Sequence, residues 1–366
     1  MTDLGELYLF FLVLYLFECL AWVPRRSVGF YTWAGRWRAR AAFRPNSGWL
    51  LSVVLGKPWP PLAPPWFAEP LPFALDPTGI TLVETNQRHV GWDALGPVRT
   101  RGHRIEANQF SISTGSRNTA AALATTLENV RTLPANKRES ELRKFLDRRY
   151  DVELPRIRQQ QFAKTVRVVR VLSNALWLSL FGGLGVAVLS HNMAHLLLVA
   201  GLSLVLWPAN SVAFALCLRK LAWLSAGEKP DRSKRWVALL SPISGVRAVD
   251  MVAREVWADL EPLAVAAALL SPTDLSTFVR PLLVVTESRA DDVLIWWRAE
   301  NRQRIERILE AKAIHLADLL AEPPRENDRV QAYCPACLAQ FARAPDCSQY
   351  CPSERCVKVP LRRFSK

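Results

Sequence analysis

The chain has 366 residues, enough for two or three domains, and a formal net charge of +14 with a pI of about 9.8. The excess of lysine and arginine indicates an anionic partner, either nucleic acid or phospholipid headgroups. The mean hydropathy of +0.05 is high for a chain in which 22% of the residues are charged. The apolar residues must therefore be concentrated in segments, which excludes an evenly mixed soluble protein.

Three apolar runs predict transmembrane helices, because each has close to the ~20 residues that cross a bilayer. These runs are residues 7–23, 171–189 and 196–218. The first run is interrupted only by Glu18, and acidic residues, Asp3 and Glu6, precede it where a signal peptide would be basic. We therefore expect residues 1–23 to form an uncleaved transmembrane helix and residues 171–218 to form a transmembrane helical hairpin.

Basic residues flank the predicted spans on one side of the membrane only. Arginine and lysine follow the first run, precede the second and follow the third, whereas the link 190–195 contains neither. Because basic loops stay in the cytoplasm, the predicted orientation has the N-terminus outside and both the large loop and the C-terminal region inside. The predicted location is a bacterial inner (plasma) membrane, where this charge meets anionic phospholipid headgroups.

Residues 24–72 combine a basic, aromatic juxtamembrane segment with a proline-rich linker. The tryptophans Trp22, Trp33, Trp37 and Trp49 alternate with arginines, as they could in a nucleic-acid-binding surface. An interfacial segment with its rings at headgroup depth fits better, because this stretch adjoins a span. Seven prolines between residues 57 and 72 predict an extended linker.

Polar residues in or beside the apolar runs predict contacts between the spans. Glu18 lies about five residues from the inner end of its run, within reach of the interface or of a neighbouring helix. Pro208 and Asn210 predict a kink with a polar contact between helices. His191 and His195 lack the intervening Glu of a zinc-peptidase motif, so we interpret them as interfacial polar residues.

Short strands followed by one helix are predicted in residues 73–133. The strands are 73–75, 80–83, 89–92, 104–107 and 110–113, and a helix with Ser116 as its N-cap runs to about Leu133. The segments DPTGI (76–80) and HVGWDAL (89–95), the 104–113 hairpin and the following helix resemble a bacterial PH-like domain attached to membrane helices. This resemblance implies a non-catalytic scaffold at the membrane surface that binds lipid or protein.

Helices are predicted in two further cytoplasmic regions, the charged connector 134–170 and the block 219–325. Ser241-Pro242 and Ser271-Pro272 have the pattern of an N-cap followed by a first-turn proline. The first of these opens one amphipathic helix that extends to Leu260. The further predicted helices are 263–270, packed in a core or lying on the membrane, and 293–320.

Five cysteines crowd the last 33 residues with the spacing C-x2-C-x9-C-x3-C-x4-C, and they are Cys334, Cys337, Cys347, Cys351 and Cys356. Cytoplasmic thiols stay reduced, so the predicted orientation favours zinc over disulfides. Reactive thiols in a disordered tail and a redox switch are the alternatives. The Tyr333–Cys337 segment resembles the first knuckle of a zinc ribbon, here at 331–360, and Cys347 with Cys351 would form the second.

The predicted structural zinc site is therefore Cys334, Cys337, Cys347 and Cys351. The second pair has three intervening residues where a zinc ribbon has two, so Cys356 stays open as an alternative fourth ligand, competing with Cys351. Four thiolates would leave no open position for a catalytic water.

The predicted fold is an α+β membrane protein with three transmembrane helices, a small PH-like cytoplasmic domain, a helical cytoplasmic region and a C-terminal zinc ribbon. No P-loop, dinucleotide-binding, nucleophile-elbow or zinc-protease motif is present. We therefore expect a non-enzymatic membrane scaffold or sensor with a protein partner. The alternatives are a membrane-tethered regulator that binds nucleic acid through its basic tail, and an accessory subunit of a membrane enzyme or transporter.

Overall fold

A computed structural model describes most of the chain. The described residues are 2–21, 27–33, 35–41, 66–82, 88–108, 110–114, 116–221, 232–287, 294–342, 350–352 and 359–364.

The described chain is mixed α/β. Its helices are α1 (Thr2–Ala21), α2 (Arg117–Thr132), α3 (Ala135–Arg149), α4 (Leu154–Thr165), α5 (Arg167–Trp177), the π-helical segment π1 (Leu178–Gly183), α6 (Leu184–Ser190), α7 (Met193–Lys220), α8 (Arg232–Leu240), α9 (Pro242–Val246), α10 (Ala248–Val256), α11 (Pro262–Leu269), α12 (Pro272–Glu287), α13 (Ile295–Ala311) and α14 (Leu316–Leu320). Its strands are β1 (Val28–Trp33), β2 (Arg36–Ala41), β3 (Trp66–Ala68), β4 (Phe73–Asp76), β5 (Gly79–Leu82), β6 (Arg88–Gly91), β7 (Arg99–Arg101), β8 (Arg104–Ala107), β9 (Phe110–Ser113), β10 (Ala332–Tyr333), β11 (Gln340–Phe341) and β12 (Arg362–Arg363).

The chain divides into two compact units. The first unit contains Met1–Leu71, Leu95–Thr132 and Glu153–Pro262. The second unit contains Pro72–Ala94, Leu133–Val152 and Leu263–Lys366.

In the first unit, two helical segments are long and apolar enough to cross a membrane. One is Arg167–Ser190, which comprises α5, π1 and α6, and the other is α7. The link between them is only His191 and Asn192, because His191 adopts a positive φ of 50° and the Asn192 side chain caps α7 by accepting the N–H of Ala194. Helix α1 covers the predicted first span as far as Ala21, and Trp22 and Val23 lie outside the described residues.

Small and polar side chains bring the two segments of this hairpin together. A Cβ at Gly183 would stand 2.8 Å from Cγ2 of Val199, so a larger residue there would force the helices apart. The hydroxyls of Ser179 and Ser203 are 2.7 Å apart across the same contact.

The predicted polar contact of Asn210 is confirmed. Its wholly buried side chain accepts a hydrogen bond from Ser173 Oγ of α5 at 3.3 Å. It also donates from Nδ2 to the backbone carbonyl of Gly245 at 2.7 Å, so the contact extends to α9.

Strands β1–β3 give the 24–72 region a sheet that the sequence did not predict. Their order is β2-β1-β3, with β1 antiparallel to both neighbours. The sheet packs on Trp257, which is wholly buried and lies 4.5 Å from the Trp66 ring and 6.0 Å from the Phe30 and Trp37 rings. The described end of the predicted linker is therefore a packed strand, while residues 42–65, including Trp49, lie outside the described residues.

The stretch with the PH-like pattern contains the predicted strands and helix. Ser116 Oγ accepts the N–H of Thr119 at 2.9 Å, which confirms the N-cap of α2. Strands β4–β6 form one three-stranded sheet in the second unit, and β7–β9 form another in the first unit together with α2. The described residues thus show the expected elements without a closed PH-like barrel.

Two predicted long helices are each interrupted. The helix from Ser241 divides into α9 and α10 at Arg247, which is wholly buried and pairs with Asp250 at 2.8 Å. The predicted helix 293–320 divides into α13 and α14, because the chain turns at Ala313, where φ is 54°. Helix α11 is buried throughout Leu263–Ala268, which confirms a packed core helix.

In the second unit, an ion network joins α3 to α13, and in it Glu300 and Arg304 are buried while Arg143 and Asp147 are exposed. The carboxylate of Glu300 accepts hydrogen bonds from Arg304 at 2.7 Å and from Arg143 at 2.9 Å. Arg304 pairs in addition with Asp147 at 2.7 Å. Burial raises the pKa of Glu300, but the two guanidinium groups more than offset it, so the pKa lies below its ordinary value of 4.5.

We predict that Glu300→Gln lowers the free energy of unfolding by about 1.5–3 kcal/mol at pH 7, the worth of a hydrogen bond to a charged group. Because the folded-state pKa is lowered, the loss should be complete above pH 4.5 and shrink as the pH falls through the folded-state pKa. Urea unfolding of the detergent-solubilised chain across pH measures this difference. The matched control is Glu306→Gln. Glu306 forms an exposed ion pair with Arg302, and its loss should lower the free energy of unfolding by less than about 0.5 kcal/mol. An equal effect of both variants at every pH would contradict the prediction.

Candidate metal centre

The first two cysteines lie on a tight turn that follows strand β10. The N–H of Cys334 donates to the carbonyl of Ala339 at 2.9 Å, and the N–H of Leu338 donates back to the carbonyl of Cys334 at 2.8 Å. Leu338 closes the turn with a φ of 62°. Strands β10 and β11 pair immediately outside the turn, so the sheet fixes the two ends of the segment that carries Cys334 and Cys337.

A third cysteine, Cys351, lies beside this turn. It belongs to a second segment, residues 350–352 and 359–364, which we call the second arm. The N–H of Cys351 donates to the carbonyl of Val359 at 2.9 Å, and the neighbouring Tyr350 pairs with Pro360. Strand β12 then joins β10 on the side opposite β11. The second arm is thereby attached to the same small sheet as the first.

The three sulfur atoms lie within 4.8 Å of one another and could hold a metal ion. The Sγ atoms of Cys337 and Cys351 are 3.7 Å apart. Two thiolates of a tetrahedral zinc site with Zn–S bonds of about 2.3 Å stand about 3.8 Å apart. This spacing suits two thiolates that share one zinc ion.

Burial and backbone donors give the Cys334 sulfur the surroundings of a metal ligand. Cys334 and Cys351 are buried and Cys337 is exposed. Burial raises the pKa of the Cys334 thiol to about 11, although the N–H groups of Cys337 and Ala336 hydrogen-bond to its sulfur and partly oppose the shift. Metal binding must therefore displace a proton, and the same N–H groups would then stabilise the thiolate.

A small apolar cluster supports the cysteines. Cys334, Ala336 and Cys351 pack with Val359 of the second arm and with Val284 of α12. A second cluster stacks the ring of Tyr333 on that of Phe364 at 4.9 Å. The predicted ribbon ends at residue 360, but its sheet includes β12 at Arg362–Arg363, and the following Phe364 packs on Tyr333.

The structure brings together three of the cysteines predicted as ligands, Cys334, Cys337 and Cys351. The other two candidates, Cys347 and Cys356, lie outside the described residues. Sequence reasoning did not identify Val284 and Val359 as the apolar support, since neither belongs to a metal-ligand spacing. No family model, curated protein or solved structure matches the chain.

We predict that Leu338→Gly tightens zinc binding about two- to fivefold, which corresponds to about 0.5–1 kcal/mol. A left-handed conformation costs an L-residue roughly 1–2 kcal/mol, and the added freedom of glycine in the unfolded chain returns about 0.4–1 kcal/mol. Competition with a chelator measures the affinity. The control is Ala339→Gly, one residue along, where φ is not positive and glycine should weaken binding. Weaker binding by Leu338→Gly would contradict the strain argument.

Proposed function

We propose that the protein is a non-enzymatic integral membrane scaffold or sensor with three spans and a structural zinc site in a C-terminal zinc ribbon. The spans are α1, Arg167–Ser190 and α7. The N-terminus lies outside and the C-terminus lies in the cytoplasm of a bacterial inner membrane. Its partners are anionic phospholipid headgroups and a protein. The PH-like assignment of residues 73–133 stays a prediction.

The observation that carries this proposal is the apolar surface of the helical hairpin. Large apolar side chains are exposed along both segments, and they include Val171, Leu178, Val186, Leu189, Leu197, Leu198, Leu202, Leu204 and Val205. Soluble monomers rarely expose contiguous apolar patches larger than a few hundred Å². Lipid is the environment in which such helices keep their apolar side chains on the outside.

The composition of the metal site supports a structural role. Within the described residues, the group that could hold a metal contains cysteine only. A site completed by a fourth thiolate is closed, whereas a catalytic zinc keeps a position for water or substrate. Cys334, Cys337 and Cys351 already lie together. We propose Cys347 as the fourth ligand, as in the set predicted from the cysteine spacing, with Cys356 as the alternative.

The fourth ligand can be identified by single substitutions. We expect Cys347→Ser to reduce zinc in the purified full chain well below one ion per chain, as Cys334→Ser should, because three thiolates bind far more weakly than four. Cys356→Ser should retain full occupancy. Elemental analysis after dialysis against a weak chelator gives the stoichiometry, with Cys217→Ala of α7 as the control outside the site. Loss of zinc from Cys356→Ser alone would assign the fourth position to Cys356.

Reporter fusions test the orientation on which the zinc assignment depends. A reporter that is active only in the cytoplasm should work after Lys366, and one that is active only in the periplasm should work when inserted between His191 and Asn192. The charge distribution around the spans is the physical reason. A periplasmic reporter that is active after Lys366 would overturn both the orientation and the expectation of reduced thiols.

A further inference from the structure

At the junction of α8 and α9, the backbone carbonyl of Ala238 has no helical hydrogen-bond donor, and side chains of α7 donate to it instead. Pro242 has no N–H, so it cannot donate to the carbonyl of Ala238 four residues earlier. Two side chains of α7 donate to that carbonyl instead, Trp207 from Nε1 at 3.2 Å and Ser211 from Oγ at 3.1 Å. The break between the helices therefore packs directly on a predicted membrane span.

The second break, at the end of α9, is satisfied in the same way. The carbonyl of Gly245 accepts Asn210 Nδ2 of α7 at 2.7 Å and Ser173 Oγ of α5 at 3.4 Å. Non-helical backbone is tolerated at membrane depth only where protein groups replace the missing hydrogen bonds. Both carbonyls meet this condition through side chains that belong to the spans.

Two helices indicate how deep these contacts lie. Trp207 and Ser211 are 14 and 18 residues beyond the start of α7 at Met193, or about 21 and 27 Å along the helix. Glu18 is 16 residues beyond the start of α1, or about 24 Å, and its Oε1 accepts a hydrogen bond from Ser244 Oγ of α9 at 3.0 Å. The apolar runs begin only at Leu7 in α1 and Leu196 in α7, so these distances are upper limits of the depth. Because the hydrocarbon core is about 30 Å thick, both helices place α9 inside its inner edge.

One side of α8 presents apolar side chains that are largely exposed, although the Arg235 guanidinium lies 5.8 Å from the centre of the Trp236 ring. We call Trp236, Val237, Leu239 and Leu240 the α8 apolar face, and Leu240 is 76% exposed. Ala238 lies between these residues in the sequence but is buried, and its carbonyl accepts the hydrogen bonds from α7. At the start of the helix, Lys234 Nζ donates to the Glu255 carboxylate of α10 at 2.7 Å. The charged start of α8 is thus tied to α10, and its apolar second half lies beside α7, where Trp207 and Ser211 contact Ala238.

We propose that residues 232–247 form a re-entrant hairpin whose α8 apolar face lies against the acyl chains of the leaflet it enters. Helix α8 enters the bilayer beside α7, the turn at Ser241-Pro242 lies inside the hydrocarbon edge, and the chain leaves through α10 on the same side. The apolar run is far too short to span the bilayer, as expected of a re-entrant segment. The occupant is lipid because α8 is joined to α7 through Ala238, and α7 itself exposes apolar side chains along its length.

This proposal rests on the membrane location given under Proposed function. The test replaces Leu240, in the full chain in native membranes, by the photo-crosslinking residue p-benzoylphenylalanine. Leu198 of α7, 70% exposed, is the control inside a span, and Tyr350 of the tail, 56% exposed, is the control outside it. After irradiation, mass spectrometry measures phospholipid adducts at each position. Because Trp236→p-benzoylphenylalanine exchanges one aromatic side chain for another, it provides a second test if Leu240→p-benzoylphenylalanine does not fold.

We expect adducts on acyl chains at positions 240 and 236, within about twofold of those at Leu198 and on the order of tenfold above those at Tyr350. Adducts at Leu198 without adducts at 240 or 236 would overturn the re-entrant hairpin and leave the membrane location intact. A crosslink from 240 to a second copy or to another protein would overturn it also. Absence of lipid adducts at all four positions would overturn both the inference and the membrane location.

Discussion

The hydrogen bonds between the side chains of α7 and the backbone carbonyls of Ala238 and Gly245 are the contacts on which the first unit depends. They allow the chain to end one helix, turn and begin another against a predominantly apolar hairpin. Without them each carbonyl would be buried without its helical donor, at a cost of about 1–3 kcal/mol. Trp207, Asn210 and Ser211 of α7 are therefore placed for α8 and α9, while many of its leucines and valines are exposed.

The buried Arg247, at the junction of α9 and α10, contacts side chains of α10 and α1. Arg247 is wholly buried, pairs with Asp250 and lies 5.8 Å from the centre of the Tyr15 ring of α1. Tyr15 in turn packs with Phe181 and Ile243 in one apolar cluster. A buried ion pair contributes little net stability, because desolvation consumes most of its attraction. The contact that places the α9–α10 corner beside α1 is the approach of the Arg247 guanidinium to the Tyr15 ring.

The sequence predicted the features that depend on local chemistry. The Ser116 and Ser271 caps follow from a hydroxyl that accepts a nearby N–H, and both are present. The pairing of Cys334 with Cys337 follows from a two-residue spacing that fits one tight turn. The contact of Asn210 follows from the cost of leaving an amide unpaired among apolar helices. In each case the requirement lies in one residue and its immediate neighbours.

The features that the sequence did not predict depend on distant parts of the chain. Strands β1–β3 pack on Trp257, which is about 190 to 230 residues further along. Residues 36–41 alternate arginine with apolar residues, a local strand signal, but the surface that buries the sheet could not be predicted from 24–72. Cys351 joins the first pair because Val359 and Leu361 pack its segment onto Cys334 and Ala336. The spacing from Cys347 predicts Cys351 as a ligand but leaves Cys356 as an alternative. The break at Ala313 has no glycine or proline to signal it.

A re-entrant hairpin also explains why charge counting could predict an orientation while the nature of residues 232–247 was missed. A segment that enters and leaves on one side adds no crossing, so it does not change the side on which the following chain lies. The basic residues that flank it, including Lys234 and Arg235, still mark the side that retains positive charge. The predicted compartment of the cysteines thus depends on the charge-determined orientation and on the number of complete spans, neither of which a re-entrant segment changes. The expectation of reduced, metal-binding thiols is therefore the same whether α8 lies on the membrane surface or inside it.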